Sequence, residues 1–593
     1  MKTLVDALNA VRDNQKAGYT FINETGPERK YTYAEVCART ERLAAWFAAQ
    51  GFEKGDRISL ILPEAEDFVF SFLACLRLGV VAVPMYPPVN IGRLDNYLKT
   101  SSHILQSAGA RAIVTRAQVR RVLGTLLDSV SSLREIVTLE EMPTAGVSLA
   151  CPDRHVRPED LAFLQFTSGS TSQPKGVALT HANLVANITL LMEKGLEVRE
   201  GDVGVSWLPL YHDMGLIGFV LAPLCCRIPV VYLPPLLFLK KPARWLKAMS
   251  DHKGTIAFAP NFAYGLCTAR IRDDELDGID LSAWRVAGCG AEPIRAETLR
   301  GFIAKFSRVG FKDGTFMTAY GMAEASLAIS FGAWGKPFRT DTVAIKALAE
   351  EGRAMPTDRA DVETTTMVSC GKSFPGQEVR VVDAEGRPLP DRSVGELVLK
   401  GPSVMSGYYG QPEATARTIR DGWLHTGDLG YMVGGEVYVC GRHKDLIIFN
   451  GKNYYPQDLE AAASALKSVR KGNVAAFSVN GGERDREKVV VVIERRDTEE
   501  PNEMLQAAVR DEVLAVTGLR VDEVVVVGAG MLPKTSSGKL QRSKTRDLYV
   551  RGELTVSAPG SRFSSAVKVA RQVAASQWSL LKSRVTRAVS PYK

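Results

Sequence analysis

Ten residues, Thr167-Ser-Gly-Ser-Thr-Ser-Gln-Pro-Lys-Gly176, carry the densest potential for chemistry in this chain. Ser, Thr and Gly in a short loop can turn backbone amides and hydroxyls onto one anion, and Lys175 adds a mobile positive charge, so the stretch reads as a phosphate cradle. By itself it reads equally as a flexible connector, and Pro174 ahead of the lysine sets it apart from the Gly-Lys-Ser/Thr nucleotide loop. Farther on, Trp284–Pro293 and Gly314–Glu324 share one design: an apolar run, then small residues carrying an acid, Glu292 or Glu324. Gly290, Ala291 and Gly321 would let a planar ring approach the backbone, and Tyr320 could stack on it. Asp428, behind Thr426-Gly427, is placed either to bind two vicinal hydroxyls or to make an ordinary Asp turn. The Ser/Gly loop Pro533–Arg542 presents Lys534 and Lys539, which alone suggest only a mobile surface feature.

The elements that would hold these residues read as α/β. A helix from Tyr31 with Val36, Leu43, Ala44 and Phe47 leads to a strand at 57–62, a helix through Phe72 and Leu76, and a strand at 79–84. The alternation continues through 111–115 and 136–138, which predicts a largely parallel sheet. Around the Ser/Thr/Gly loop the expected order is strand (161–166), loop, then a helix starting at Thr180. The run Val205–Leu216 ends in Tyr211, His212 and Asp213, at the strand end where this architecture places ligands, although a lone histidine also serves structure. From about 338 to 369 the chain is mixed and charge-rich without clear strand alternation, which reads as an inserted surface element. Short strands resume at 395–401 and 423–430, with Gly434-Gly435 suited to a hairpin turn. Beyond Gly441–Asp445, a helix at 458, strands at 474–479 and 489–493 and a helix at 504–516 predict a small α+β domain.

Length and composition narrow the function. At 593 residues the chain requires more than one domain. Its opening residues lack a signal-peptide core, and the apolar runs 68–85 and 216–239 are broken by charge and proline, so both read as core. Nine scattered cysteines without a Cys-x-x-Cys pair suit reduced thiols in the cytoplasm and give no zinc site. The net charge of +8 concentrates in the tail, where Arg562, Lys568, Arg571, Lys582, Arg584, Arg587 and Lys593 follow the last acid, Glu553. The body is therefore nearly neutral, and no nucleic-acid-binding face is implied.

Taken together, Thr167–Gly176, Gly290–Pro293, Tyr320–Glu324, Thr426–Asp428, Gly441–Lys444 and Pro533–Lys539 resemble the motif set of the adenylate-forming superfamily, which includes acyl-CoA ligases, peptide-synthetase adenylation domains and luciferases. The resemblance runs from near the N-terminus to about residue 553. Leu208–Leu216, Ala259–Tyr264, Val368–Gly371 and Asn453–Glu460 resemble its fatty acyl-AMP ligases more than its coenzyme-A ligases, and the segment before Val368 lies where those ligases carry an insertion that restrains the small domain.

The resemblance implies an adenylation domain of several subdomains with parallel-rich sheets (1–440), a small mobile α+β lid (441–556) and a basic tail (557–593). It implies that Thr167, Ser168, Gly169, Ser170, Thr171 and Lys175 hold the β- and γ-phosphates of ATP. Gly290, Ala291 and Tyr320 would frame the adenine, Glu292, Gly321 and Met322 would belong to the same ATP/AMP-binding set, and Asp428 and Arg442 would bind the ribose. Glu324 would help hold Mg²⁺, and His212, Asp213, Met214 and Gly215 would lie at the substrate site. Lys539 would reach the substrate carboxylate and α-phosphate, with Lys444 as hinge. Ser172 departs from the glycine many members carry, which would strain the loop if that position needs positive φ.

The implied reaction activates a fatty acid as acyl-adenylate and passes it to the phosphopantetheine thiol of an acyl carrier protein or of a polyketide or peptide synthase in trans, since the tail is too short for a carrier domain. A fatty acyl-CoA ligase is the nearest alternative, and an inactive nucleotide- or carrier-binding scaffold a more distant one. Within the tail, Val567, Ala570, Ala574, Trp578, Leu581, Val585 and Val589 fall near helical spacing beside basic residues. That pattern fits weak binding to an anionic membrane or an acidic carrier, and fits equally a docked or disordered helix.

Overall fold

The computed structural model describes residues 1–88, 94–143, 150–167, 173–449, 452–480, 487–496, 501–535, 539–554 and 572–583. Two large sheets organise the first 440 residues. In one, the strands Leu161–Thr167, Val81–Pro84, Arg57–Ile61, Ala112–Thr115 and Glu135–Thr138 run parallel in that spatial order. In the other, Phe316–Gly321, Val286–Cys289, Ile256–Ala259, Gly204–Ser206, Val230–Tyr232 and Gly18–Phe21 form a parallel run. The same sheet then turns antiparallel through Ala328–Phe331, Thr364–Ser373, Glu436–Arg442 and Trp423–Val433. This is the expected α/β architecture with parallel-rich sheets. The lid is a three-stranded sheet of Val469–Asn480, Glu487–Arg495 and Glu523–Val527, packed with the helices Pro456–Ala465 and Asn502–Thr517.

Local chemistry explains many element boundaries. Thr32 caps Tyr33–Ala49 and Glu35 returns the bond, a reciprocal box that starts the helix where the apolar period begins. Thr180 and Asn183 do the same for His181–Thr189. At the turn of the Trp423–Arg442 hairpin, Gly434 and Gly435 both take positive φ, 58° and 82°, which glycine adopts without strain.

Two expectations change. The Ser/Thr/Gly loop does not lead straight into a helix, because Lys175–Thr180 is a strand antiparallel to Leu161–Thr167 with Thr167 opposite Lys175. Lys-Gly-Val-Ala-Leu-Thr is short and buried almost throughout, so it shows no alternation to read. Residues 168–172 lie outside the described residues. The 338–369 segment is not strandless: Thr340–Ala344 pairs with Thr364–Ser373, and Ile345–Glu350 is helical. Nor is it wholly superficial, since Val343 and Leu348 are buried; Thr340–Ala344 turns only Val343 inward and Thr364–Ser373 buries the run 368–371, so neither strand alternates. In the tail, residues 572–583 form a helix docked on the large domain, one of the readings its spacing left open, with Ala574, Trp578 and Leu581 exposed. No described helix is long and apolar enough to cross a membrane.

The N-terminal helix Leu4–Ala10 is tied to the body by a buried histidine. His181, fully buried, accepts the Leu4 N–H at Nδ1 (3.2 Å). Burial holds its pKa down at about 4, with nearby Lys54 adding to the effect and Asp160 and Asp6 opposing it. The folded protein therefore binds this proton less readily than the unfolded chain, so stability is full above the ordinary histidine value and falls as pH drops toward 4. Replacing His181 with Gln should flatten that loss, worth about 3 kcal/mol, as measured by urea unfolding between pH 7 and 4.

Candidate active site

A cavity of about 3560 Å³ lies between the large domain and the lid. Thr167, His212, Asp213, Met214, Gly290, Ala291, Glu292, Tyr320, Gly321, Met322, Glu324, Asp428, Arg442 and Lys539 all line it. Gly215 borders an adjoining small pocket that Lys539 also lines. Ser168, Gly169, Ser170 and Thr171 lie outside the described residues. Lys444 sits exposed in the turn His443–Asp445 at the domain junction.

Three strands set the first polar cluster. The Tyr320 hydroxyl donates to Asp428 Oδ2 (2.8 Å) and Arg442 Nε donates to Oδ1 (3.1 Å), Asp428 and Arg442 being partners across the hairpin. Burial raises the Asp428 pKa and the Arg442 charge opposes that rise. The carboxylate is thus buried, oriented and paired, an arrangement ready to accept from hydroxyl donors. Thr426 fixes the turn, donating to Leu397 O (2.6 Å) and accepting from the Asp428 N–H (3.1 Å).

The second cluster contains a residue that sequence reading missed. Tyr408 donates to Glu324 Oε1 (2.9 Å), and Lys175 Nζ lies 4.6 Å from the centre of its ring. Tyr408 thereby links the lysine of the phosphate loop to the buried acid. It stands in a Gly-rich stretch with no motif to mark it, and only the pairing of Gly407–Tyr408 with Val177–Ala178 brings it near. Burial lowers the Lys175 pKa, aided by the positive charges of Lys444 and Arg417.

The third cluster is divided between domains. His212 Nδ1 lies 2.5 Å from Asp213 Oδ1. Burial pushes the Asp213 pKa up, but His212 and then Lys539 outweigh it and hold the carboxyl down at about 2. Glu292 accepts the Phe262 N–H (2.6 Å), and burial raises its pKa. Lys539 therefore enters a pocket facing Asp213 and Glu292, where burial draws its own pKa down against their charge. Its loop is clasped at the base: Thr535 N–H donates to Lys539 O (2.7 Å) and Lys539 N–H to Thr535 Oγ1 (3.0 Å).

Gly290 and Gly321 have a packing role that the expected ring approach did not anticipate. A Cβ on Gly290 would fall 2.7 Å from Ala319 O, and one on Gly321 would fall 2.0 Å from Leu327 O. Neighbouring backbone already requires glycine at both positions. Ala291 holds φ at +68°, a conformation uncommon for a residue with a side chain.

Gly218, Phe219, Phe258, Leu327, Phe331, Leu191 and Leu196 also line this cavity and make an apolar branch of its lining. Two π-helical turns, Leu190–Gly195 and Ile217–Leu221, supply part of its wall. Such turns frequently mark functional sites, and they left no readable period in the sequence.

Fold and cleft together define an adenylate-forming enzyme. Residues 9–409 match the family described as AMP-binding enzyme, and residues 444–559 match the Disco-interacting protein 2-like AMP domain. The chain is 38% identical over 526 residues to a Caulobacter vibrioides protein provisionally named an acyl-CoA synthetase, with 88% of this chain and 90% of that one covered. It is 35% identical over 574 residues to the medium-chain-fatty-acid–[acyl-carrier-protein] ligase JamA of Moorena producens, covering 93% and 96%. A solved structure from work on fatty acyl-adenylate ligases of E. coli and L. pneumophila superposes with a TM-score of 0.86 at 36% identity, covering 93% of this chain and 98% of that one. The chain belongs to the AMP-binding enzyme family, and within it to the fatty acyl-AMP ligases.

The inserted segment touches the lid in two ways. Glu350 pairs with Lys452 (2.6 Å), both partly exposed. Val343, Leu348 and Ala354 share a buried cluster with Tyr431, Tyr438 and Cys440 of the large domain and Tyr455 of the lid. An exposed ion pair is screened by water and adds little, whereas deleting a buried aromatic ring costs about 3–5 kcal/mol. Tyr455→Ala should therefore free the lid, seen as faster limited proteolysis near residues 441–452, while Lys452→Ala leaves the cleavage rate within twofold of native.

Proposed function

We propose that this protein joins a fatty carboxylate to ATP, forming acyl-AMP and pyrophosphate, and then passes the acyl group to a phosphopantetheine thiol on a carrier protein supplied in trans. The observation that carries this reading is the entry of Lys539 from the lid into the cavity that holds Tyr320, Asp428 and the apolar branch. The names of relatives that load acyl-carrier proteins support the second step.

In the first step a carboxylate oxygen bonds to the α-phosphorus and the bond to pyrophosphate breaks. A carboxylic acid with a pKa near ~4 is already ionised at neutral pH, so no general base is needed. The barrier comes from anion repulsion, and Lys539, with Lys175 at the phosphate end, supplies the opposing charge. Asp428 and Arg442 hold the ribose hydroxyls beside Tyr320. Glu324 suits Mg²⁺: it is a buried carboxylate oriented by Tyr408, with its pKa raised by burial in a pocket meant for polyanionic substrate. Mg²⁺, when bound there, neutralises phosphate charge. Closure of the lid shields the mixed anhydride from water. In the second step the thiol sulfur bonds to the acyl carbon, AMP leaves and the thiol proton is released.

The native enzyme, given fatty acid, ATP and Mg²⁺, should accumulate acyl-AMP without efficiently acylating free coenzyme A. Lys539→Ala should lower pyrophosphate release at least a hundredfold while ATP binding by calorimetry stays within threefold. Near-native release by that variant would remove Lys539 from the chemistry.

The apolar branch is the place for the acyl chain, and Gly218 lines it beside Leu327. A Cβ there meets only Leu327 Cδ2, at 3.6 Å, so alanine fits and a larger side chain fills the passage. Gly218→Phe should reduce kcat/KM for the longest chain the native enzyme accepts at least tenfold more than for hexanoate. Gly218→Ala should leave the ratio unchanged.

A further inference from the structure

The helix at residues 572–583 lies outside the catalytic cleft and is fixed to the large domain. Its inner face is mostly polar. Gln572 Nε2 donates to Val122 O (3.2 Å) and Thr125 Oγ1 (2.8 Å), and Ser576 Oγ accepts the Gly124 N–H (2.7 Å). Ser579 donates to Asp128, and Lys582 Nζ lies 3.8 Å from that carboxylate. The approach is so close that a Cβ on Gly124 would fall 2.2 Å from Ser576 O. Ser576 and Ser579 are buried, and Leu580 packs against the large-domain core between them.

The outer face is the unusual one. Trp578 is 72% exposed and Leu581 58% exposed, with Ala574 exposed on the same side. An amphipathic helix that docked only for stability would turn these residues inward and its serines outward. This helix does the reverse. Single exposed apolar residues need no explanation, but here the spacing 574, 578, 581 continues in sequence to Val585 and Val589. The sequence on either side of this helix carries charge of one sign. The chain after Glu553 has seven basic residues and no acid, and exposed Arg121 lies in the helix on which this one docks. Asp128, the acid this helix touches, is occupied by Ser579 and Lys582.

We propose that the docked tail helix is an interfacial anchor that places the large domain against an anionic lipid surface, with Trp578 and Leu581 entering the headgroup boundary. An indole and a leucine one turn apart, in a stretch of sequence rich in Lys and Arg, is the chemistry of an interfacial helix. Capture of an acidic protein by the same side chains is the competing outcome of the test below. Because the helix is clamped to the large domain, the anchor orients that domain and leaves the lid free to turn.

The test is sedimentation of the full chain with vesicles of phosphatidylcholine alone or with phosphatidylglycerol added, comparing native protein with the Trp578→Ser, Leu581→Ser double variant. Both side chains point into solvent, so the variant should keep its melting temperature and its rate of acyl-AMP formation. Native protein should sediment with the anionic vesicles, less so as salt rises, and the double variant should partition at least tenfold less. Native protein remaining in the supernatant, equal sedimentation of the double variant, or loss of these residues affecting only capture of an acidic carrier protein would overturn the proposal. Acyl-AMP formation is read separately, so failure here leaves the catalytic assignment standing, and the reverse holds too.

Discussion

An ammonium group carried into a buried pocket by one domain, facing carboxylates held by another, is the constraint around which this molecule is built. Lys539 loses hydration on entering, and Asp213 and Glu292 offset part of that loss. Neither domain completes the arrangement alone. The acids sit on the large domain, Glu292 just past the strand Val286–Cys289 and Asp213 at the start of the helix Asp213–Leu216, and the lysine stands on a clasped loop of the lid. The charge balance of the cleft therefore depends on where the lid is, and so does the access of water.

Side chains from both domains meet at their junction. Arg542 of the lid forks onto Glu460 and also reaches Asp445 in the turn His443–Asp445 (3.2 Å), tying that turn to the lid. Arg295 of the large domain donates to Gln457 O (2.8 Å). The 338–369 segment adds an apolar contact through Tyr455, so the observed arrangement is held by burial as well as by charge.

Much of this was legible in the sequence where one local signal sufficed. Capping boxes at Thr32 and Thr180, the double glycine at 434–435 and the apolar runs before Gly290 and Tyr320 each act within a few residues of themselves. The illegible parts depend on partners far away. Lys175 begins a strand because Thr167 pairs with it, Tyr408 matters because its strand adds to that hairpin, and the inserted strands hide because neither alternates, one turning a single residue inward and the other burying a continuous run. The π-helical turns break the very period used to find helices. In the tail the period was visible but its direction was not, since spacing says which residues share a face and never which way the face points.

The hairpin that pairs Thr167 with Lys175 separates two properties that usually vary together. Because side chains alternate on a strand, the ladder alone decides which way Lys175 points, and a one-residue slip would send it to the opposite face. The bearing of Lys175 is thus a property of the frame, set by a pairing partner eight residues back and not by the residue types beside it.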